Sequence, residues 1–86
     1  MTWQEIQHVY LKQWLLLEVL QAQSDQQWRH LTNLAVLEKF DDSMSALRAY
    51  KALKEREPRR ELVVLHTDRE QSVVKERFYV GVRGAA

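Results

Sequence analysis

The chain has no cysteine among its 86 residues, so it has neither a disulfide framework nor thiolate chemistry. A cysteine-free sequence fits a reducing compartment. The longest apolar run, Trp14–Leu17, is far shorter than the roughly 20 residues a membrane-spanning helix needs. Glu5 and His8 stand where a secretory signal would carry a basic and then an apolar region. A soluble cytoplasmic protein is expected. Both glycines lie at the far end, Gly81 and Gly84. The segment Gly81-Val82-Arg83-Gly84 lacks the G-x-x-x-x-G-K spacing of a phosphate loop and the helix that follows one. There is no glycine-flanked aspartate of the D-T-G kind, and no G-x-S-x-G to present a nucleophile. The net charge is only +1, so bulk electrostatics do not draw the chain to nucleic acid or anionic lipid.

The length suits one domain, residues 1–86. A domain this small buries only about 60% of its unfolded surface and is marginal by itself.

The clearest positive signal is a helix between Asp41 and the single proline, Pro58. Asp41, Asp42 and Ser43 can each accept a hydrogen bond from a first-turn N–H, so the N-cap falls at Asp41 or Asp42. Pro58 disfavours helix at Glu57 and ends it. Lys54, Arg56, Arg59 and Arg60 collect at the negative end of the helix dipole. Ala46, Ala49, Tyr50 and Leu53 recur at i, i+3, i+4 and i+7, one apolar stripe flanked by Leu47. The two alanines allow close approach to a sheet.

Thr2-Trp3-Gln4-Glu5 has the form of a capping box, and Trp3, Ile6, Val9 and Tyr10 follow at helical spacing, so residues 3–11 are predicted as a short helix. Trp14–Ala22 reads as strand one. Leu15, Leu17 and Val19 point one way, and Trp14, Leu16, Leu20 and Ala22 the other. Gln23–Arg29 reads as a polar turn, with Trp28 out of place in it. Leu31–Phe40 reads as strand two and closes a hairpin. Glu61–Thr67 reads as strand three, Asp68–Lys75 as a charged link and Arg77–Arg83 as strand four. A crossover through the main helix makes strands two and three parallel to each other.

The expected fold is α+β: a single, mostly antiparallel four-stranded sheet of order 2-1-3-4, with the main helix on one face and a short N-terminal helix. One helix cannot cover both faces. Either the N-terminal helix or a second copy must hide the remaining apolar surface, which includes Trp14, Leu16, Leu20 and Trp28. These four are the candidate interface of a homodimer.

The pattern Trp14-Leu15-Leu16-Leu17, Leu34-Ala35-Val36-Leu37, Asp41-Asp42-Ser43, Ala46–Leu53, Pro58, Leu62-Val63-Val64-Leu65 resembles a set of short bacterial ββαβ-type domains of unknown function. The opening MTWQEI and the segments HTDRE and VGVRG look like a longer version of that group. The group resembles genomic neighbours of small retropepsin-like proteases. It implies a fold and no site residues.

Little in the chain carries chemistry. His8, His30 and His66 have no metal-ligand spacing. His66 and Asp68, with Thr67 or Ser72 nearby, are the sole hydrolytic candidates. Asp41 and Asp42 suit capping better than acid–base work. Arg59, Arg60, Arg69, Lys75, Arg77 and Arg83 could form a basic rim with Phe78 and Tyr79 to stack bases. Glu57, Glu61, Asp68, Glu70 and Glu76 are interleaved with them and offset the field. The sequence thus predicts a non-enzymatic interaction module without cofactor or metal, self-associating or docking on a protein, in the manner of an accessory or antitoxin-like regulator. A nucleic-acid-binding protein and a small hydrolase are the alternatives.

Overall fold

A computed structural model of the chain describes residues 1–75. Local chemistry sets both helices. Helix α1 spans Trp3–Val9 and helix α2 spans Ser43–Arg56. At α1, Thr2 Oγ1 accepts the Glu5 N–H at 3.2 Å and Glu5 Oε1 accepts the Thr2 N–H at 2.8 Å. This reciprocal pair satisfies two first-turn donors. At α2 the cap is Asp42, whose carboxylate accepts the Ser45 N–H at 2.8 Å and the Ser45 hydroxyl at 3.0 Å. The helix stops at Arg56, and the Glu57 N–H still reaches Leu53 O, so the break falls where Pro58 dictates. Lys54 Nζ then donates to the Arg60 carbonyl at 2.5 Å and holds the turn that follows.

The strands are β1 (Trp14–Asp25), β2 (Trp28–Phe40), β3 (Leu62–His66) and β4 (Val73–Lys75). They form a four-stranded sheet of order β3-β1-β2-β4 with every neighbouring pair antiparallel. Since β2 and β3 both run against β1, they are parallel to each other, as the crossover through α2 requires. The expected arrangement of β2, β1 and β3 is therefore found. The fourth described strand is not the expected one: β4 pairs with β2, which gives the order β3-β1-β2-β4, whereas the fourth strand of the expected order 2-1-3-4 falls on Arg77–Arg83. The sequence read Val73–Lys75 as part of a charged link. Three residues carry too little pattern to declare a strand, and these become one through the bonds they make to Trp28, Arg29 and His30. The strand expected over Arg77–Arg83 lies outside the described residues.

The expected polar turn over Gln23–Arg29 is mostly strand. Pairing continues to Asp25↔Trp28, so only Gln26 and Gln27 make the turn. Gln26 takes φ 56 and Lys12, between α1 and β1, takes φ 52. A β-hairpin with a two-residue loop needs such a left-handed position, and no glycine stands nearby to supply it.

Three register shifts interrupt the hairpin, between Leu16 and Leu17, Val19 and Gln21, and Gln21 and Ala22. Leu37, Leu20 and Thr32 are the residues left without a partner at these points. Each bulge bends the strand and resets the alternation. This corrects the expected faces. Ala22 packs against the same cluster as Leu15 and Leu17, not with Trp14 and Leu16, because the bulge at Leu20 intervenes. Leu31 and Leu34, three positions apart, both reach the core across the bulge at Thr32.

The main cluster joins Trp3 and Ile6 of α1 to Leu15, Leu17, Leu31, Leu34 and Leu65. Leu16 and Leu62, of opposite parity along their strands, are buried outside that cluster, as is Ala46 of α2. The main helix thus lies on one face of the sheet, over Leu16 and Leu62. The N-terminal helix covers apolar surface on the Leu15–Leu17 side. The open question of what hides the second face is answered, for that part of it, within the chain. On α2 the buried stripe is as read: Ala46 is fully buried and Ala49, Tyr50 and Leu53 half-buried, while Leu47 is 43% exposed.

The segment after β3 crosses beneath α1. Trp3 Nε1 donates to Arg69 O at 2.8 Å, and Gln7 Nε2 donates to Thr67 O at 2.9 Å and Arg69 O at 2.8 Å. The outer edge of β2 is then closed by several bonds. Leu31 exchanges bonds with Ser72, and Leu34 with Met1, whose ammonium also reaches Asn33 Oδ1 at 2.7 Å. No helix among the described residues is long and apolar enough to cross a membrane.

Candidate interaction surface

The four expected interface residues separate in space. Leu16 is 3% exposed and covered by its own chain, so it offers nothing to a partner. Trp14 is half-buried and meets the His66 ring edge-on at 5.0 Å. Leu20 and Trp28 are 55% and 48% exposed. Trp28 faces Asp25 across the hairpin, five positions from Leu20, or about 17 Å at ~3.3 Å per residue. They are two exposed points rather than one continuous patch.

A larger concavity, about 890 Å³ in volume, follows β3. Leu47 and Tyr50 of α2 approach from one side of the strand, Val63 and Leu65 face the other, and Arg69 and Lys75 stand at the rim. One signal for it is legible in the residues, the uncharged run Leu62–His66, which reads simply as a buried strand.

Two ion pairs frame this region. The Arg29 guanidinium grips the Glu61 carboxylate with both forks, at 2.6 and 2.7 Å, and ties the hairpin to the start of β3. Arg60, just past α2, donates to Glu18 Oε1 on β1 at 2.5 Å and approaches Glu57 at 3.3 Å. The hydrogen bond that Arg60 donates to Glu18 holds the carboxyl below the usual glutamate value and raises the guanidinium. The backbone bond from Thr2 lowers Glu5, and that from Ser45 lowers Asp42.

All three carboxyls thus titrate lower when folded. Their contribution is complete above the ordinary values, 4.5 for the glutamates and 3.8 for Asp42. It is lost as pH falls through the lowered ones. Urea midpoints of wild type and Glu18→Gln are expected to differ at neutral pH and to converge as pH falls through the lowered Glu18 value. A gap that stays constant with pH would exclude the charged pair as its source.

The basic set does not gather into one rim. Arg59 and Lys75 are exposed, Arg60 is bound to Glu18, and Arg69 donates to Val73 O at 2.9 Å. Arg77 and Arg83 lie outside the described residues. Nor does a hydrolytic constellation form around His66. Its Nδ1 accepts the Asp68 N–H at 3.1 Å, with the Asp68 carboxylate at 3.8 Å. The Ser72 hydroxyl donates to Leu31 O at 2.9 Å, and buried Thr67 accepts the Gln13 N–H at 3.0 Å. Both hydroxyls are engaged elsewhere. Among the described residues no three His, Cys, Asp or Glu side chains gather as a metal site would require.

What is shown is a small α+β domain without obvious catalytic machinery among its described residues. No family model, no curated protein and no solved structure matches this chain.

Proposed function

We propose that this protein is a non-catalytic interaction module that self-associates in the cytoplasm and acts, as an accessory or antitoxin-like regulator, through contact with other protein. The observation that carries this reading is the apolar surface left on ordered elements. Leu20, Trp28 and Leu37 of the hairpin and Met44 and Leu47 of α2 are each between 37% and 58% exposed. Scattered exposed apolar side chains are ordinary. Here one of them, Leu47, lines an open cleft, and the domain is small enough to leave a large share of its surface exposed.

Sedimentation equilibrium across a wide dilution series tests the reading. A mass that moves from one chain towards two as concentration rises is expected. A single-chain mass at every concentration would remove the self-association. The basic residues favour no rival reading, since Arg60 and Arg69 are engaged within the chain.

A further inference from the structure

We propose that residues 78–82 of this same chain occupy the cleft on the side of the sheet that α1 covers only in part; the inference is independent of self-association.

Trp3 and Ile6 of α1 join Leu15, Leu17 and Leu34 in one buried cluster. Val19, Val63 and Val74 pack against that cluster from the same side of the sheet, and there the cover ends. Among the described residues, none of α1 lines the cleft of about 890 Å³. On this side its lining is Val19, Leu31, Val63, Leu65 and Val74. Leu31 and Leu65 are buried, whereas Val19, Val63 and Val74 are only half-buried. The bidentate Arg29–Glu61 pair, also in the lining, fixes β2 against the start of β3. The result is a preformed apolar surface with space above it.

The path of the chain selects the occupant. Strand β4 ends at Lys75, which itself lines the cleft, and residues 76–86 continue from that point. Their apolar stretch is Phe78-Tyr79-Val80-Gly81-Val82, bounded by Arg77 and Arg83. Arg29 pairs with Val74 of β4, and its side chain alone reaches Glu61 at the start of β3. A cleft crossed by a single ion pair is well within the span of residues 78–82, about 17 Å at ~3.3 Å per residue. Alternation then turns Phe78, Val80 and Val82 towards Val19, Val63 and Val74, and Tyr79 away.

Tethering favours this segment over a second copy. The link through Glu76 and Arg77 holds it at the rim at an effective concentration of roughly millimolar. A free molecule must compete with that from solution.

Wild type itself supplies the first test. In NMR spectra of the full chain, nuclear Overhauser contacts are expected from the Phe78 ring to methyl groups of Val19 or Val63. In a mixture of isotope-labelled and unlabelled chains, filtered spectra are expected to show none of these contacts between chains. Phe78→Ser is expected to lower the urea midpoint by about 1–3 molar, as loss of one buried large apolar side chain does at the slope of a small domain. Tyr79→Ser is expected to lower it by less than half as much. Contacts found only between chains would put a second copy in the cleft and overturn the proposal. A Phe78 ring without contact to any methyl of the cleft overturns it too, as do equal losses in the two serine variants. Self-association is decided separately, by the mass in sedimentation.

Discussion

Leu17→Ala is expected to cost about 2–5 kcal/mol and to lower the urea midpoint by about 2–5 molar, at a slope of about 1 kcal/mol per molar for a small domain. Leu17 has no exposed surface and stands in β1 with a strand on each side. It faces Val36 on one side and Val63 on the other. Truncation removes apolar contact and leaves a cavity that two neighbouring strands cannot collapse to fill. Leu20→Ala, three residues along the same strand, is expected to change stability by no more than about 0.5 kcal/mol, because Leu20 sits at a bulge and is half exposed. Denaturation at high dilution compares the two folds without association. Equal losses for both variants would refute the assignment of core and solvent sides to β1.

Trp3→Ala is expected to be at least as damaging, at about 3–5 kcal/mol, a large share of the roughly 5–15 kcal/mol that holds a native domain together. Helix α1 has seven residues, too few to persist without docking. Trp3 and Ile6 are its buried anchors. Losing the indole therefore releases the helix along with its own contacts. The backbone of residues 67–69, which α1 holds through Gln7, would loosen with it. Trp3→Phe separates packing from the indole hydrogen bond. The Arg69 carbonyl that accepts from Trp3 also accepts from Gln7, so it is not left bare. Phenylalanine is expected to recover most of the stability lost in alanine. Thermal or urea unfolding of both variants measures this. A phenylalanine variant as weak as alanine would mean that the hydrogen bond, not the ring's burial, anchors the helix.

These two variants also mark how far the residues alone can be read. The capping box at Thr2 and Glu5, the cap at Asp42 and the stop before Pro58 are legible because each involves groups within a few positions of one another. The apolar stripe of α2 and the Leu15–Leu17 alternation are legible for a similar reason, since a helix or strand imposes its own period. Leu16 shows where this stops. Its type and spacing say that β1 is apolar on both sides, and they gave it a place in an exposed interface. That α2 covers Leu16 while Leu20 lies bare depends on where the helix ends and on the bulge at Leu20. Neither is a property of those residues taken singly. The place of β3 was hidden in the same way: Leu62–His66 reads as an interior strand, and only the sheet order puts it, among the described residues, at one side.

The sequence by itself determined the two helices, where each begins and where α2 stops, the three main strands and the absence of thiol chemistry, because caps, a proline and short-range periodicity act between neighbours. The tertiary structure alone decided that β4 joins β2, that the polar turn is drawn into a long hairpin, and that the two helices divide the apolar surface. Those choices are made by hydrogen bonds and contacts between residues far apart in the chain, such as Val73 with His30 and Trp3 with Arg69. A three-residue strand has no preference of its own strong enough to announce which edge it will take.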